Sequence, residues 1–287
     1  MAKLLPKSIY DVPLGSADGQ IDDLLGAYKG KVTLVFNCAA GCGNIPQHMI
    51  LQELNESYRD EPDFNIVAVT VDDFTCHGYP EFSNGLVNYI EENGLTVTPG
   101  QVAQQYARDN YGATYSFSEL TNGRYDKHRY DSSFVPGSVK EQDMHELWYL
   151  LTEAFEASIG DNGLPVHNEQ LPWSDSFSEK PADDLKSFIP LTGNFDKFLV
   201  DRSGRRVRRY PNAFLLGERD EHANLYPGFE KEEIYPGVPD WRPNHQERAD
   251  NPDNNGPFPT PLQRKWIDVS LQTIRQEIDN FLADVIE

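Results

Sequence analysis

The segment from residue 31 to residue 58 constrains the fold of this chain most, because a strand pattern gives way there to a helix pattern within a few residues. It begins with the apolar, β-branched run Val-Thr-Leu-Val-Phe at 32–36, which predicts a buried strand. A turn follows in which Cys42 stands between two glycines. After Pro46, which suits a first helical turn, apolar residues recur at helical spacing. The segment therefore predicts a strand, a tight turn with a cysteine, and a helix.

The position of Cys42 favours the ionised form of its thiol. The sulfur would lie near the positive end of the helix dipole, where first-turn amides stabilise a thiolate. Small neighbours, among them Gly43, would let a second molecule approach. Most cysteines are buried and unreactive, and we assign that state to Cys38, inside the apolar strand. We therefore predict that Cys42 is a reactive thiol on a thioredoxin-like scaffold.

A second buried strand follows the helix. Residues 64–71 are almost wholly apolar, as expected of a parallel strand that is covered on both faces. A strand, a helix and a second strand form a βαβ unit, which predicts an α/β fold. Asp72, Asp73, Cys76 and His77 come next, at the strand end where open α/β sheets place their ligand sites. We therefore include Asp73 and Cys76 among the candidate site residues.

Later segments predict further helices, one hairpin and long polar stretches. Residues 8–13 and the segment that follows them to Gly19 predict an entry strand and a turn. Residues 195–210 predict a β-hairpin with its turn at Ser203-Gly204. Helical periodicity and capping residues predict helices over 83–93, 98–110, 143–159 and 266–285.

Composition and charge limit the classes of function. A net charge of −21 at pH 7 repels phosphates and argues against binding to nucleic acid or to anionic membranes. The sequence contains neither a membrane-spanning apolar run nor the apolar stretch of a secretory signal. Three cysteines cannot form a disulfide framework, so we expect a cytoplasmic protein. The basic cluster from Arg202 to Arg209 predicts either a solvated hairpin face or an anion-binding surface.

Three separated regions resemble the glutathione peroxidase family, in the family's order. They are Asn37-Cys-Ala-Ala-Gly-Cys-Gly-Asn-Ile-Pro-Gln47, the N-terminal motifs 8–11 and 28–31, and the hairpin 194–204 with Arg209-Tyr210. The resemblance implies an α/β, thioredoxin-like fold, with a central mixed β-sheet flanked by helices. It also implies one domain over 1–287, interrupted by long inserted loops or helices near 75–98, 124–190 and 211–262.

The resemblance implies an antioxidant oxidoreductase that reduces hydroperoxides with a reactive cysteine supported by Gln, Trp and Asn. By position, Cys42 matches the reactive residue and Asn194 the supporting Asn. Asp73 stands where Gln is expected, and Gly193 where Trp is expected. An ionised carboxylate cannot donate a hydrogen bond to a thiolate, and it raises the pKa of a neighbouring thiol. Two tryptophans of the inserted region are candidates to supply the missing indole, Trp148 and Trp173.

In the predicted mechanism, the Cys42 thiolate attacks a peroxide oxygen and becomes a sulfenic acid. Asn194 stabilises the charge, and Asp73 carries a proton. Cys76 is the first internal candidate to resolve the sulfenic acid and Cys38 the second; otherwise an external thiol such as glutathione or thioredoxin acts as reductant. No bound cofactor is expected. The candidate substrate-binding residues are Gly43, Gln47, Arg202 and Arg209.

Two other classes of function stay open. Cys38 and Cys42 have the C-x-x-x-C spacing, similar to that of Sco-type copper chaperones, and His77 would be a third ligand for Cu(I). Alternatively, the scaffold binds a partner or a small molecule, or catalyses another reaction in the same pocket with Asp73 as general base. The remaining histidines show no metal-binding spacing, and we interpret them as structural or surface residues: His48, His128, His145, His167, His222 and His245.

Overall fold

The structure is a computed structural model that describes residues 8–40, 42, 44–71, 82, 85–123, 145–152, 191, 194–210, 215 and 257–284. Its strands in this part of the chain are β1 Val32–Cys38, β2 Phe64–Val71, β3 Ser116–Thr121, β4 Lys197–Val200 and β5 Val207–Tyr210. Its helices are α1 Gln47–Ser57, α2 Leu86–Glu92, α3 Pro99–Tyr111, α4 Glu146–Thr152 and α5 Pro261–Ala283.

The five strands form one mixed sheet in the order β3-β2-β1-β4-β5. β1 is parallel to β2, and β2 is parallel to β3. β4 runs antiparallel to both β1 and β5. The predicted α/β, thioredoxin-like fold with a central mixed sheet is thereby confirmed. Because β1 is the central strand, the turn that follows it lies at the middle of one sheet edge.

Side chains of the central strands alternate between two apolar clusters, one on each face of the sheet. On β1, Leu34 and Phe36 belong to the first cluster and Val35 to the second. The first cluster also contains residues of α1 and α5, such as Leu54 and Ile274. The second contains residues of α4 and of the N-terminal segment. Both faces of the sheet are therefore covered, as the apolar composition of β1 and β2 predicts.

Two of the helices begin with the same combination of residues. Thr98 and Thr260 each accept a hydrogen bond from the backbone N–H of a glutamine three residues later, whose side chain in turn accepts from the threonine N–H. A proline occupies the first helical turn in both cases. These reciprocal bonds satisfy two of the amides that a helix start leaves without partners. The predicted cap at Thr98 is confirmed.

One local prediction is wrong. Residues 9–11 form a 3₁₀ turn and not a strand, because the Ser8 hydroxyl accepts the Tyr10 backbone N–H at 3.2 Å and caps the turn. The insertions near 124–190 and 211–262 lie almost wholly outside the described residues, so the single-domain interpretation stays a prediction. Among the described residues, no helix combines the length and the apolar character needed to cross a membrane.

Candidate functional site

Cys42 lies in the turn between β1 and α1, with 7% of its surface exposed. Its sulfur accepts a hydrogen bond from the backbone N–H of Asn44 at 3.3 Å. Its carbonyl oxygen accepts the Ile45 N–H at 3.0 Å, so the turn winds directly into the helix. A backbone donor at a helix start stabilises the thiolate more than the thiol, which is the electrostatic arrangement that a nucleophilic cysteine needs.

Asn194 is brought to this turn by Asn44. The Asn44 side-chain amide donates to the Asn194 carbonyl oxygen at 3.2 Å, and only 1% of Asn194 is exposed. The residues that follow Asn194 are fixed to the end of β1. Phe195 N–H donates to the Asn37 carbonyl oxygen at 2.6 Å, and Asp196 N–H donates to Asn37 Oδ1 at 2.9 Å. One continuous set of hydrogen bonds therefore joins Cys42, Asn44 and Asn194 across the β1–β4 edge.

Phe195 has a left-handed backbone conformation, with φ of 67°. For a bulky residue this conformation costs roughly 1–2 kcal/mol, so its surroundings must hold it there. Its ring stacks on Phe36 at a centroid distance of 5.5 Å and meets the edge of His48 at 4.9 Å. The strained residue thus lies directly after Asn194, beside the candidate site.

His48, in the first turn of α1, is a site residue that the sequence interpretation did not single out. It is 2% exposed, and its Nδ1 shares a hydrogen bond of 2.6 Å with the Tyr115 hydroxyl. Burial lowers the pKa of His48 to about 3, and burial raises the pKa of Tyr115 well above its usual value. The bond therefore joins a neutral imidazole and a neutral phenol.

Cys38 is the last residue of β1 and is 1% exposed, in the first apolar cluster. Burial raises the pKa of its thiol to about 12, opposed by a hydrogen bond with Thr70, while the charge of Cys42 raises it further. Such a thiol stays protonated at neutral pH. Its placement supports the interpretation of Cys38 as a core residue more than its candidacy as a resolving thiol or a copper ligand.

Gln47 is fully buried at the start of α1, next to His48. Its N–H donates to the Asn44 carbonyl oxygen at 3.1 Å, which ties it to the same turn as Cys42. The substrate-binding role predicted for Gln47 stays a prediction.

The arginines of the β4–β5 hairpin contact carboxylates of the protein itself. Arg202 donates to Asp63 Oδ2 at 2.8 Å, and Arg209 donates to Asp196 Oδ2 at 2.6 Å with both side chains buried. Arg206 likewise pairs with Asp284 near the end of α5. These contacts give no support to the prediction that Arg202 and Arg209 bind substrate, which stays a prediction.

Several predicted positions lie outside the described residues: Gly43, Asp73, Cys76, His77, Trp173 and Gly193. Trp148 is described, and its indole N–H donates to Thr121 Oγ1 at 3.0 Å inside the second apolar cluster. This bond gives no support to the expectation that Trp148 replaces the missing indole beside Cys42, which stays a prediction. Within the described ranges, no group of three or more His, Cys, Asp or Glu side chains is arranged to hold a metal ion.

Comparison with known proteins finds relatives that are named as glutathione peroxidases or their homologs. The glutathione peroxidase homolog BsaA of Staphylococcus epidermidis is 27% identical over 204 residues, covering 71% of this chain and 89% of that protein. Glutathione peroxidase 3 of Caenorhabditis elegans is 25% identical over 213 residues, covering 74% and 76%. The chain is thus similar, at 25–27% identity, to proteins named as glutathione peroxidases or their homologs. No protein-family model matches it.

Solved structures are also similar to the chain, at lower identity. The crystal structure of Trgpx in apo form has a TM-score of 0.39 and 19% identity, covering 72% of this chain and 87% of that one. The crystal structure of T. cruzi GPX1 has a TM-score of 0.35 and 18% identity, covering 76% and 94%.

Proposed function

We propose that this protein is a thiol peroxidase that reduces hydroperoxides with Cys42 as the reacting group. The observation that carries the proposal is the hydrogen bond from the Asn44 amide to the Cys42 sulfur, 3.3 Å long, in the turn that leads into α1. Similarity to proteins named glutathione peroxidase supports the same chemistry. The donor stabilises the thiolate, which is the form of cysteine that attacks peroxides.

The reaction begins with attack of the thiolate on the terminal oxygen of the hydroperoxide. A sulfur–oxygen bond forms, the O–O bond breaks, and the alkoxide leaves as an alcohol after taking one proton. Cys42 is oxidised to a sulfenic acid, and the peroxide is reduced by two electrons. Asp73 is proposed to supply the proton, and Asn194, held by Asn44, is proposed to stabilise the developing charge.

We propose that an external thiol completes the cycle. One thiol condenses with the sulfenic acid to form a mixed disulfide and water. A second thiol then displaces Cys42 and restores it, so two thiols are oxidised to one disulfide. The burial of Cys38 favours this route over an internal disulfide with Cys38, because attack requires a thiolate and the pKa of Cys38 is raised. Glutathione and thioredoxin are the proposed reductants, and Cys76 is the remaining internal candidate.

The test is stoichiometric oxidation of the purified, reduced protein with hydrogen peroxide and with an alkyl hydroperoxide. Mass spectrometry with a sulfenic-acid reagent locates the oxidised cysteine and follows its rate. We expect Cys42 to be oxidised at least tenfold faster than glutathione at pH 7. Cys42→Ser should abolish the fast phase.

Cys38→Ala is the matched control, because it removes the neighbouring buried thiol and leaves the Asn44–Cys42 contact in place. We expect it to keep the fast phase. Oxidation of Cys42 at the rate of a free thiol would overturn the proposal. Loss of the fast phase in Cys38→Ala, with Cys42 intact, would instead assign the reacting thiol to Cys38.

A further inference from the structure

The His48 side chain contacts aromatic residues from several elements around the candidate site. Its ring centroid lies 5.8 Å from that of Phe36 on β1, 5.9 Å from that of Phe117 on β3, and 4.9 Å from that of Phe195. Its Nδ1 is hydrogen-bonded to Tyr115, directly before β3. A single side chain of α1 is thus fixed against the central strand, the outer strand and the segment that precedes β4.

The backbone of His48 continues directly into the turn with Cys42. The His48 N–H donates to the Ile45 carbonyl oxygen at 3.1 Å, and the Ile45 N–H donates to the Cys42 carbonyl oxygen at 3.0 Å. Asn44, whose amide contacts the Cys42 sulfur, lies within the turn that the Ile45–Cys42 bond closes. A rotation of the first turn of α1 would therefore change the direction of the Asn44 N–H.

The ring of His48 also supports the other half of the site. It lies against Phe195, whose left-handed backbone is adjacent to Asn194. The Asn194 carbonyl oxygen is the acceptor for the Asn44 side chain. Since the backbone of Phe195 would relax if its ring were released, the position of the imidazole determines where this acceptor lies.

A polar pair fixes these parts better than apolar packing alone. Aromatic rings tolerate rotation and sliding, whereas a buried hydrogen bond of 2.6 Å has a narrow range of angles. Loss of either partner leaves the other buried and unsatisfied, so the pair strongly disfavours alternative orientations. The surrounding rings exclude the water that would otherwise substitute.

We propose that His48 and Tyr115 are positioning residues for Cys42: their hydrogen bond sets the first turn of α1 and the Asn194–Phe195 segment, and so aims the Asn44 amide at the sulfur. The inference rests on the proposed role of Cys42 as a thiolate nucleophile. Neither His48 nor Tyr115 contacts the reacting atoms in this account.

The experiment measures the pH profile of Cys42 alkylation by iodoacetamide, with tandem mass spectrometry to separate Cys42 from Cys38. Wild type is compared with Tyr115→Phe and with Tyr58→Phe. Tyr58 is the matched control, because its hydroxyl donates to the Arg275 carbonyl oxygen and to Asp279 at the far end of α1. We expect the pH midpoint of Cys42 alkylation to rise by about half a pH unit or more in Tyr115→Phe. In Tyr58→Phe we expect it to stay within about 0.2 unit of the wild-type midpoint.

The double variant His48→Phe with Tyr115→Phe separates positioning from stability. Both polar partners are removed, so no unsatisfied group is left and the free energy of unfolding should recover relative to Tyr115→Phe. We expect the raised midpoint of Cys42 to persist, because the directional bond is still missing. If Tyr115→Phe alone does not fold, the pH midpoint of Cys42 alkylation in the double variant provides the test.

An unchanged midpoint in Tyr115→Phe, or a midpoint that recovers together with stability in the double variant, would overturn the inference. The proposed peroxidase function fails on a different result, namely slow peroxide oxidation of wild-type Cys42. The comparison of alkylation midpoints among the variants does not depend on that result.

Discussion

The buried, neutral state of His48 predicts that the protein loses stability in mild acid. Its pKa is lowered from 6.5 to about 3 by burial, so between these values the unfolded chain binds a proton that the folded chain does not. The contribution of His48 to the free energy of unfolding is therefore fully present above pH 6.5 and is lost as the pH falls. The loss is about 1.4 kcal/mol per pH unit, or about 2 kcal/mol between pH 7 and pH 5 from His48 alone.

Among the described residues, the ring partners of His48 are all uncharged: Phe36, Tyr111, Tyr115, Phe117 and Phe195. The imidazolium would therefore gain no compensating ion pair from them. Burial therefore dominates the pKa of His48. For the same reason we expect the full slope of unfolding free energy against pH from this group.

The assay is urea unfolding of wild type, His48→Phe and Tyr115→Phe at half-unit steps from pH 5 to pH 7. Wild type and Tyr115→Phe should show the same slope of unfolding free energy against pH, with Tyr115→Phe less stable throughout, because the imidazole stays buried. His48→Phe should show a slope that is smaller by about 1 kcal/mol per unit, averaged over this range. Equal slopes in wild type and His48→Phe would refute the reasoning.

Three further outcomes follow from contacts in the fold. Asp196→Asn, which leaves the Arg209 guanidinium buried without its carboxylate, should lower the unfolding free energy by roughly 3–5 kcal/mol in urea titration; a loss below 1 kcal/mol would contradict this. Thr260→Ala removes the cap of α5 and should lower it by about 1 kcal/mol, whereas Thr260→Ser should keep most of the stability. Glu53→Gln, which breaks a half-exposed bidentate pair with Arg264, should cost at most about 1 kcal/mol, and raising the salt concentration should shrink that difference.

Local patterns were sufficient to predict the elements whose signals lie within a few residues. β1 and β2 are continuous apolar runs, and the cap at Thr98 carries its glutamine and proline within three positions. The 3₁₀ turn at residues 9–11 was missed because one hydroxyl-to-backbone bond from Ser8 outweighs an apolar pattern that is otherwise typical of a strand. The position of β4 between β1 and β5 depends on pairing over more than 150 residues, which periodicity does not encode.

In the candidate site, too, some features follow from the local sequence and others do not. The place of Cys42 at a strand–turn–helix junction follows from neighbouring residues, and Asn194 was found through the family resemblance. The contact that unites them depends on Asn44, whose backbone and side chain serve both residues at once. No spacing rule predicts such a double role, because it arises only after β1 and β4 have paired.

His48 and Phe195 show why sequence patterns miss the supporting parts of a site. Histidine is intermediate between the usually buried and the usually exposed residue types, so its presence in a helix does not predict burial. The burial of His48 depends on aromatic rings contributed by β1, α3, β3 and the segment before β4. A positive φ at a phenylalanine is unfavourable in isolation and persists only because those contacts hold it. The strained residue and the buried histidine touch each other; Phe195 follows Asn194 directly, and His48 comes six residues after Cys42. Stability and reactivity are therefore coupled at this point, since a substitution that relaxes the strain also releases the turn that directs the Asn44 amide towards the sulfur.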